Sequence, residues 1–89
     1  MPERVVTVVP EDGLHARPAS NFVETASEYD IEIQVGHVDG DLVNAASMLA
    51  ITGLGVTSGE DVRLVAEGAE AEAALDELER ILSTPEGEG

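Results

Sequence analysis

A histidine, an arginine and a proline fall close together in the segment Gly13-Leu14-His15-Ala16-Arg17-Pro18-Ala19-Ser20. Proline suits the first turn of a helix, where its missing N–H costs nothing. His15 therefore stands at a helix entrance, where the first backbone N–H groups have no intrahelical partner. The N–H groups of Ala16, Arg17 and Ala19, with the positive end of the helix dipole, make an anion site. Arg17 adds a permanent charge whose fork geometry suits phosphate. Gly13 lets the chain turn tightly before the helix. The positive helix end disfavours imidazolium, so His15 is expected to be mainly neutral and nucleophilic near neutral pH. A phosphoryl group on it would be a dianion, held by the same amides and Arg17 without being trapped. A lone histidine before a helix is more commonly a cap or a loop residue. Its company of Gly13, Arg17 and Pro18 favours the chemical reading.

Hydrophobic periodicity supplies the elements that must position this segment. The β-branched run Arg4-Val5-Val6-Thr7-Val8-Val9 reads as a strand ended by Pro10, and Glu11-Asp12-Gly13 as a turn. Ala19, Phe22, Val23, Ala26 and Tyr29 keep the spacing of a helix. Ile31, Ile33 and Val35 alternate with polar residues as a half-buried strand. The Asp39-Gly40 turn signal sends Asp41–Val43 back antiparallel to it. Asn44 can cap a short helix running to about Gly53, and Gly53-Leu54-Gly55 breaks it. After the Ser58-Gly59 turn, Val62, Leu64 and Ala66 alternate with Asp61, Arg63, Val65 and Glu67 as a further strand. Ala71, Ala74, Leu75, Leu78, Ile81 and Leu82 form one stripe of a last helix, whose charges suit its dipole. The order βαββαβα implies an α+β open-faced β-sandwich: a four-stranded antiparallel sheet with three helices on one face. One domain is expected over residues 1–84, with a flexible acidic tail over 85–89.

Other polar groups read as less informative. His37 precedes a turn flanked by Asp39 and Asp41, which supplies the wrong charge for phosphate, so it is expected to be an exposed hairpin residue. The same three residues are a low-specificity metal signal, and no metal site or cofactor is expected. Glu67, Glu70, Glu72, Glu77 and Glu79 read as a solvated face. Gly53-Leu54-Gly55 is no nucleotide cradle, because no lysine follows it.

Charge excludes whole classes of partner. Nineteen Asp plus Glu against four arginines, with no lysine, give a net charge of −15 over 89 residues. Four scattered arginines cannot build the basic patch that nucleic acid requires, nor bind an anionic membrane surface. A hydrophobic content of 43% is too high for a disordered acidic chain, and aromatics at 2% leave Val, Leu, Ile and Ala to build the core. No cysteine is present for disulfides or thiol chemistry. Neither a signal peptide nor a membrane-spanning run is apparent, so a cytoplasmic monomer is expected. The acidity itself fits adaptation to concentrated salt, which screens self-repulsion and strengthens apolar burial.

The Gly13–Ser20 segment closely resembles the active-site signature of the HPr family, the histidine phosphocarriers of the phosphoenolpyruvate-dependent sugar phosphotransferase system. The resemblance extends over the chain length, the element order and a second, weaker motif, Asn44-Ala45-Ala46-Ser47-Met48-Leu49. It implies that His15 accepts a phosphoryl group from phosphorylated enzyme I through Nδ1, and passes it to an enzyme IIA component with guidance from Arg17. It further implies a monomer without metal or cofactor. Ser47 matches a serine that a dedicated kinase modifies in some members, although Ala45, Ala46 and Ile51-Thr52-Gly53 depart from the usual surroundings. Met48 and Leu49 can be a docking patch beside the active site or simple core packing. A paralogue serving regulation or a dihydroxyacetone kinase would use the same His15. A binding module without phosphohistidine chemistry is the reading from another class.

Overall fold

Alternation of apolar and polar residues builds four strands, and a 3.6-residue stripe builds two long helices. The computed structural model describes residues 2–10, 13 and 16–84. The assignment of His15 as acceptor and the expectation of a tail over 85–89 concern residues outside these. The elements in chain order are β1 (Glu3–Thr7), α1 (Ala16–Glu28), β2 (Glu32–His37), β3 (Val43–Asn44), α2 (Met48–Gly53), β4 (Asp61–Glu67) and α3 (Ala71–Ser83). The sheet order is β1-β4-β2-β3, with every neighbouring pair antiparallel. This is the expected open-faced α+β sandwich.

Register follows from which residues must face the helices. Val6 pairs with Val62, and Val35 with Leu64. These side chains point to the helical side and are buried, together with Val8 and Ile33. From above, α1 contributes Ala19, Phe22 and Ala26, and α3 contributes Ala71, Ala74, Leu75, Leu78 and Leu82. Burying one such leucine is worth about 1.5–3 kcal/mol, so the α3 stripe alone binds that helix firmly to the sheet. Phe22, the only phenylalanine of the chain, is fully buried.

Several boundaries differ from those the sequence suggests. The β1 ladder stops at Thr7 rather than Val9: Val8 N–H still donates in register to the Glu60 carbonyl, but the Val8 carbonyl accepts from Gly59 N–H and Val9 N–H donates to the Leu82 carbonyl. The return strand β3 is Val43–Asn44 rather than Asp41–Val43. Asn44 does not cap α2. As part of β3, its Oδ1 accepts from Ala46 N–H, a local turn, and Ser47 is the cap instead. On the open face, Val65 is 5% exposed although its strand neighbours there are polar. It pairs with both Glu3 and Gln34, and the Glu3–Arg63 ion pair at 3.6 Å spans the same face.

The acidic face of α3 is not simply solvated. Arg4, on the helical side of edge strand β1, donates to Glu72 (2.8 Å), Asp76 (2.5 Å) and Glu79 (2.9 Å). Three carboxylates one helical turn apart converge on one guanidinium, which ties the edge strand to the last helix.

Candidate functional site

Gly13 fixes the approach of the chain to α1. It is buried and has a φ of +68°, a left-handed conformation that side chains disfavour. A Cβ there would overlap the Val56 carbonyl oxygen and lie 2.6 Å from Thr57 Cα. Its N–H donates to the Pro10 carbonyl at 2.8 Å. The α2–β4 loop is thus a wall against which the chain at Gly13 rests.

Helix α1 begins three residues later. Its first turn contains the N–H groups of Ala16, Arg17 and Ala19, Pro18 having none. Pro18 and Ala19 are buried and anchor this turn to the core, whereas Arg17 is exposed. Among the described residues Arg17 pairs with no carboxylate, while Arg4 is held by three and Arg63 by one. In so acidic a chain, this leaves a positive group and a positive helix end together without a neutralising neighbour among the described residues. No acidic residue occupies the first turn of α1. His15 itself lies outside the described residues.

The second motif splits into structural and exposed positions. Ala45 and Ile51 are fully buried. Ser47 caps α2, its hydroxyl accepting from Ala50 N–H at 3.2 Å. Met48 and Leu49 are 40% and 84% exposed, so core packing is not their role. Helix α2 packs against α1 and β3, and it offers this apolar pair outward.

His37 departs from expectation. It is half-buried at the end of β2 rather than exposed in the hairpin. A carbonyl oxygen can only accept, so the 2.8 Å contact between Nε2 and the Leu54 carbonyl makes Nε2 the donor. Nδ1 faces Glu60 Oε2 at 3.8 Å. Glu60 in turn accepts from Thr57 through Oε1, at 2.8 Å from N–H and 2.9 Å from the hydroxyl. These two hydrogen bonds hold the Glu60 carboxyl below its ordinary value, with a smaller contribution from His37. The sequence carries a signal for part of this: Thr57-x-x-Glu60 has the spacing of a capping box. Nothing local announces that His37, seventeen residues before Leu54 in the chain, meets the same loop.

Among the described residues no three His, Asp or Glu side chains are grouped to hold a metal ion, and no helix is long and apolar enough to cross a membrane.

Comparison with known proteins bears on the whole of this arrangement. A family model described as "PTS HPr component phosphorylation site" matches residues 2–84. The phosphocarrier protein HPr of Haloferax volcanii is 73% identical over 85 residues, covering 94% of this chain and 96% of that protein. The HPr of Streptomyces coelicolor is 46% identical over 83 residues, covering 93% of this chain and 89% of that one. The crystal structure of HPr from Bacillus anthracis superposes with a TM-score of 0.87 at 34% identity, covering 92% of this chain and 96% of that one.

Proposed function

The chain belongs to the PTS HPr family, and on that premise we propose that its His15 accepts a phosphoryl group from phosphorylated enzyme I and delivers it to an enzyme IIA component. The observation that carries the reading is the family match across residues 2–84, which includes the Gly13–Ser20 segment at the start of α1. An exposed Arg17 without a carboxylate partner among the described residues supports it.

The chemistry follows from charge and geometry. His15 Nδ1 forms a bond to phosphorus as the bond to the donor atom on enzyme I breaks, the donor keeping the electron pair. The transferred group brings negative charge to the helix entrance. There the first-turn amides and the Arg17 fork offset it. The bond is then broken in the reverse sense when an acceptor nitrogen or oxygen on the next protein attacks. Because the donors are fixed before the group arrives, little reorganisation is needed in either direction. Met48 and Leu49 supply an apolar docking patch for both partners. The reading includes a cytoplasmic monomer acting without metal or cofactor.

Incubation with phosphoenolpyruvate and enzyme I tests it. Wild type should gain an acid-labile, base-stable phosphoryl adduct that His15→Ala cannot form, and that an enzyme IIA then removes. Arg17→Lys keeps the charge but loses the fork, and should slow transfer by about tenfold or more. Equal labelling of wild type and His15→Ala would overturn the proposal.

A further inference from the structure

The 54–60 loop that backs Gly13 is held at both ends. At its far end, Val8 N–H donates to the Glu60 carbonyl at 2.8 Å and Gly59 N–H to the Val8 carbonyl at 2.7 Å, which fixes that end to the chain beyond β1. At its near end, Leu54 and Gly55 only close the last turn of α2, through N–H bonds to the Ile51 and Thr52 carbonyls. The Leu54 carbonyl, by contrast, is taken by His37 Nε2. That imidazole crosses from the end of β2 to the loop and also faces Glu60, whose carboxylate folds back on Thr57. His37 thus touches the loop on either side of Val56 and Thr57, the two residues against which Gly13 rests.

We infer that His37 is a positioning residue for phosphoryl transfer, bracing the loop against which Gly13, two residues before His15 in sequence, rests. The inference rests on the carrier reading, since it concerns the segment that contains His15. The mechanical route is short. Gly13 has no side chain to absorb a shift, and it lies against backbone atoms of Val56 and Thr57 rather than against a flexible side chain. A displacement of the wall is therefore passed directly to the Gly13 backbone. Transfer between two proteins depends steeply on the placement of the accepting nitrogen, and small misplacements from a remote change cost large factors in rate. The role belongs to one atom, Nε2, because that is the donor the Leu54 carbonyl receives.

The full chain carries the test, with phosphorylated enzyme I as donor. In His37→Ala the turnover for labelling should fall about tenfold with KM unchanged, because α2 and its apolar pair are left in place. The Gly13 and Thr57 amides should exchange faster with solvent. His37→Gln places an amide nitrogen as many bonds from Cβ as Nε2 and should return turnover to within about twofold of wild type, a rescue that loss of bulk alone does not explain. A thermal melt of each variant confirms that it is folded. Wild-type turnover in folded His37→Ala, or His37→Gln as slow as His37→Ala, overturns the inference while leaving the carrier reading intact. A wild type that takes no phosphoryl group overturns the carrier reading itself, and this inference falls with it.

Discussion

At Gly13 two constraints meet, a left-handed backbone and a wall of main-chain atoms. Relief of one leaves the other in force. Gly13→Ala must carry a Cβ at φ +68° and also push back Val56 and Thr57, which the Val8–Glu60 and Val8–Gly59 bonds and His37 hold in place. Where the native conformation suits a new alanine, the exchange stabilises; where φ is positive, it costs more than about 1 kcal/mol. Urea denaturation should therefore show a lower midpoint for Gly13→Ala with an unchanged slope. A matching Gly53→Ala, in the last turn of α2 where a Cβ meets nothing within 4 Å, should leave the midpoint where it was or raise it. If the two variants melted alike, the close approach at Gly13 would have no energetic weight. The same contact explains why a glycine begins the motif that the sequence marks out: it serves the loop behind it as much as the turn it makes.

At the scale of elements, α2 shows how little holds a short helix and where that little resides. Six residues are too few for intrinsic helical stability, so the cap and one buried side chain must suffice. Ile51 is the buried anchor, and the Ser47 hydroxyl satisfies an otherwise orphaned amide. Ser47→Ala should cost about 1 kcal/mol, seen as a lower melting temperature and faster amide exchange at Ala50. Asn44→Ala, which loses only a local turn bond to Ala46, should leave Ala50 protected. The sequence made α2 visible but pointed to the wrong cap, because asparagine and serine both favour that position and only the tertiary placement of β3 decides between them. Longer elements were legible for a reason: α1, α3 and β4 each repeat their apolar period often enough to fix both type and face. The helix entrance at Ala16–Ala19 was legible too, since proline, glycine and arginine act there through local geometry. His37 and the acidic face of α3 were misread because their partners, Leu54 with Glu60 and Arg4, are distant in sequence. No local pattern records a contact of that kind.

Over the whole molecule, a charge of −15 is unevenly relieved. Arg4 gathers three carboxylates of α3, and Arg63 one of β1. Among the described residues that leaves Arg17 at the entrance of α1 and Arg80 in the last turn of α3 without carboxylate partners. One unpaired arginine beside a candidate site cannot make a basic docking face. On the proposed carrier reading, the exposed apolar pair on α2, with Leu49 at 84% exposure, would then be the main source of attraction for a partner. The two kinds of surface respond oppositely to salt. Attraction between charged faces is lost as the screening length shrinks to about 3 Å at 1 M. Apolar contact is preserved or strengthened by salts that are excluded from the surface, and screening also removes repulsion between this acidic chain and an acidic partner. Affinity for enzyme I, followed by calorimetry from low to molar salt, should therefore hold steady or rise. Leu49→Asp should weaken binding at every salt concentration, since it removes apolar area and adds one more negative charge. An affinity that fell steeply with salt, or that ignored Leu49→Asp, would mean that docking rests on charges elsewhere on the surface, and the acidity would have to be explained without it.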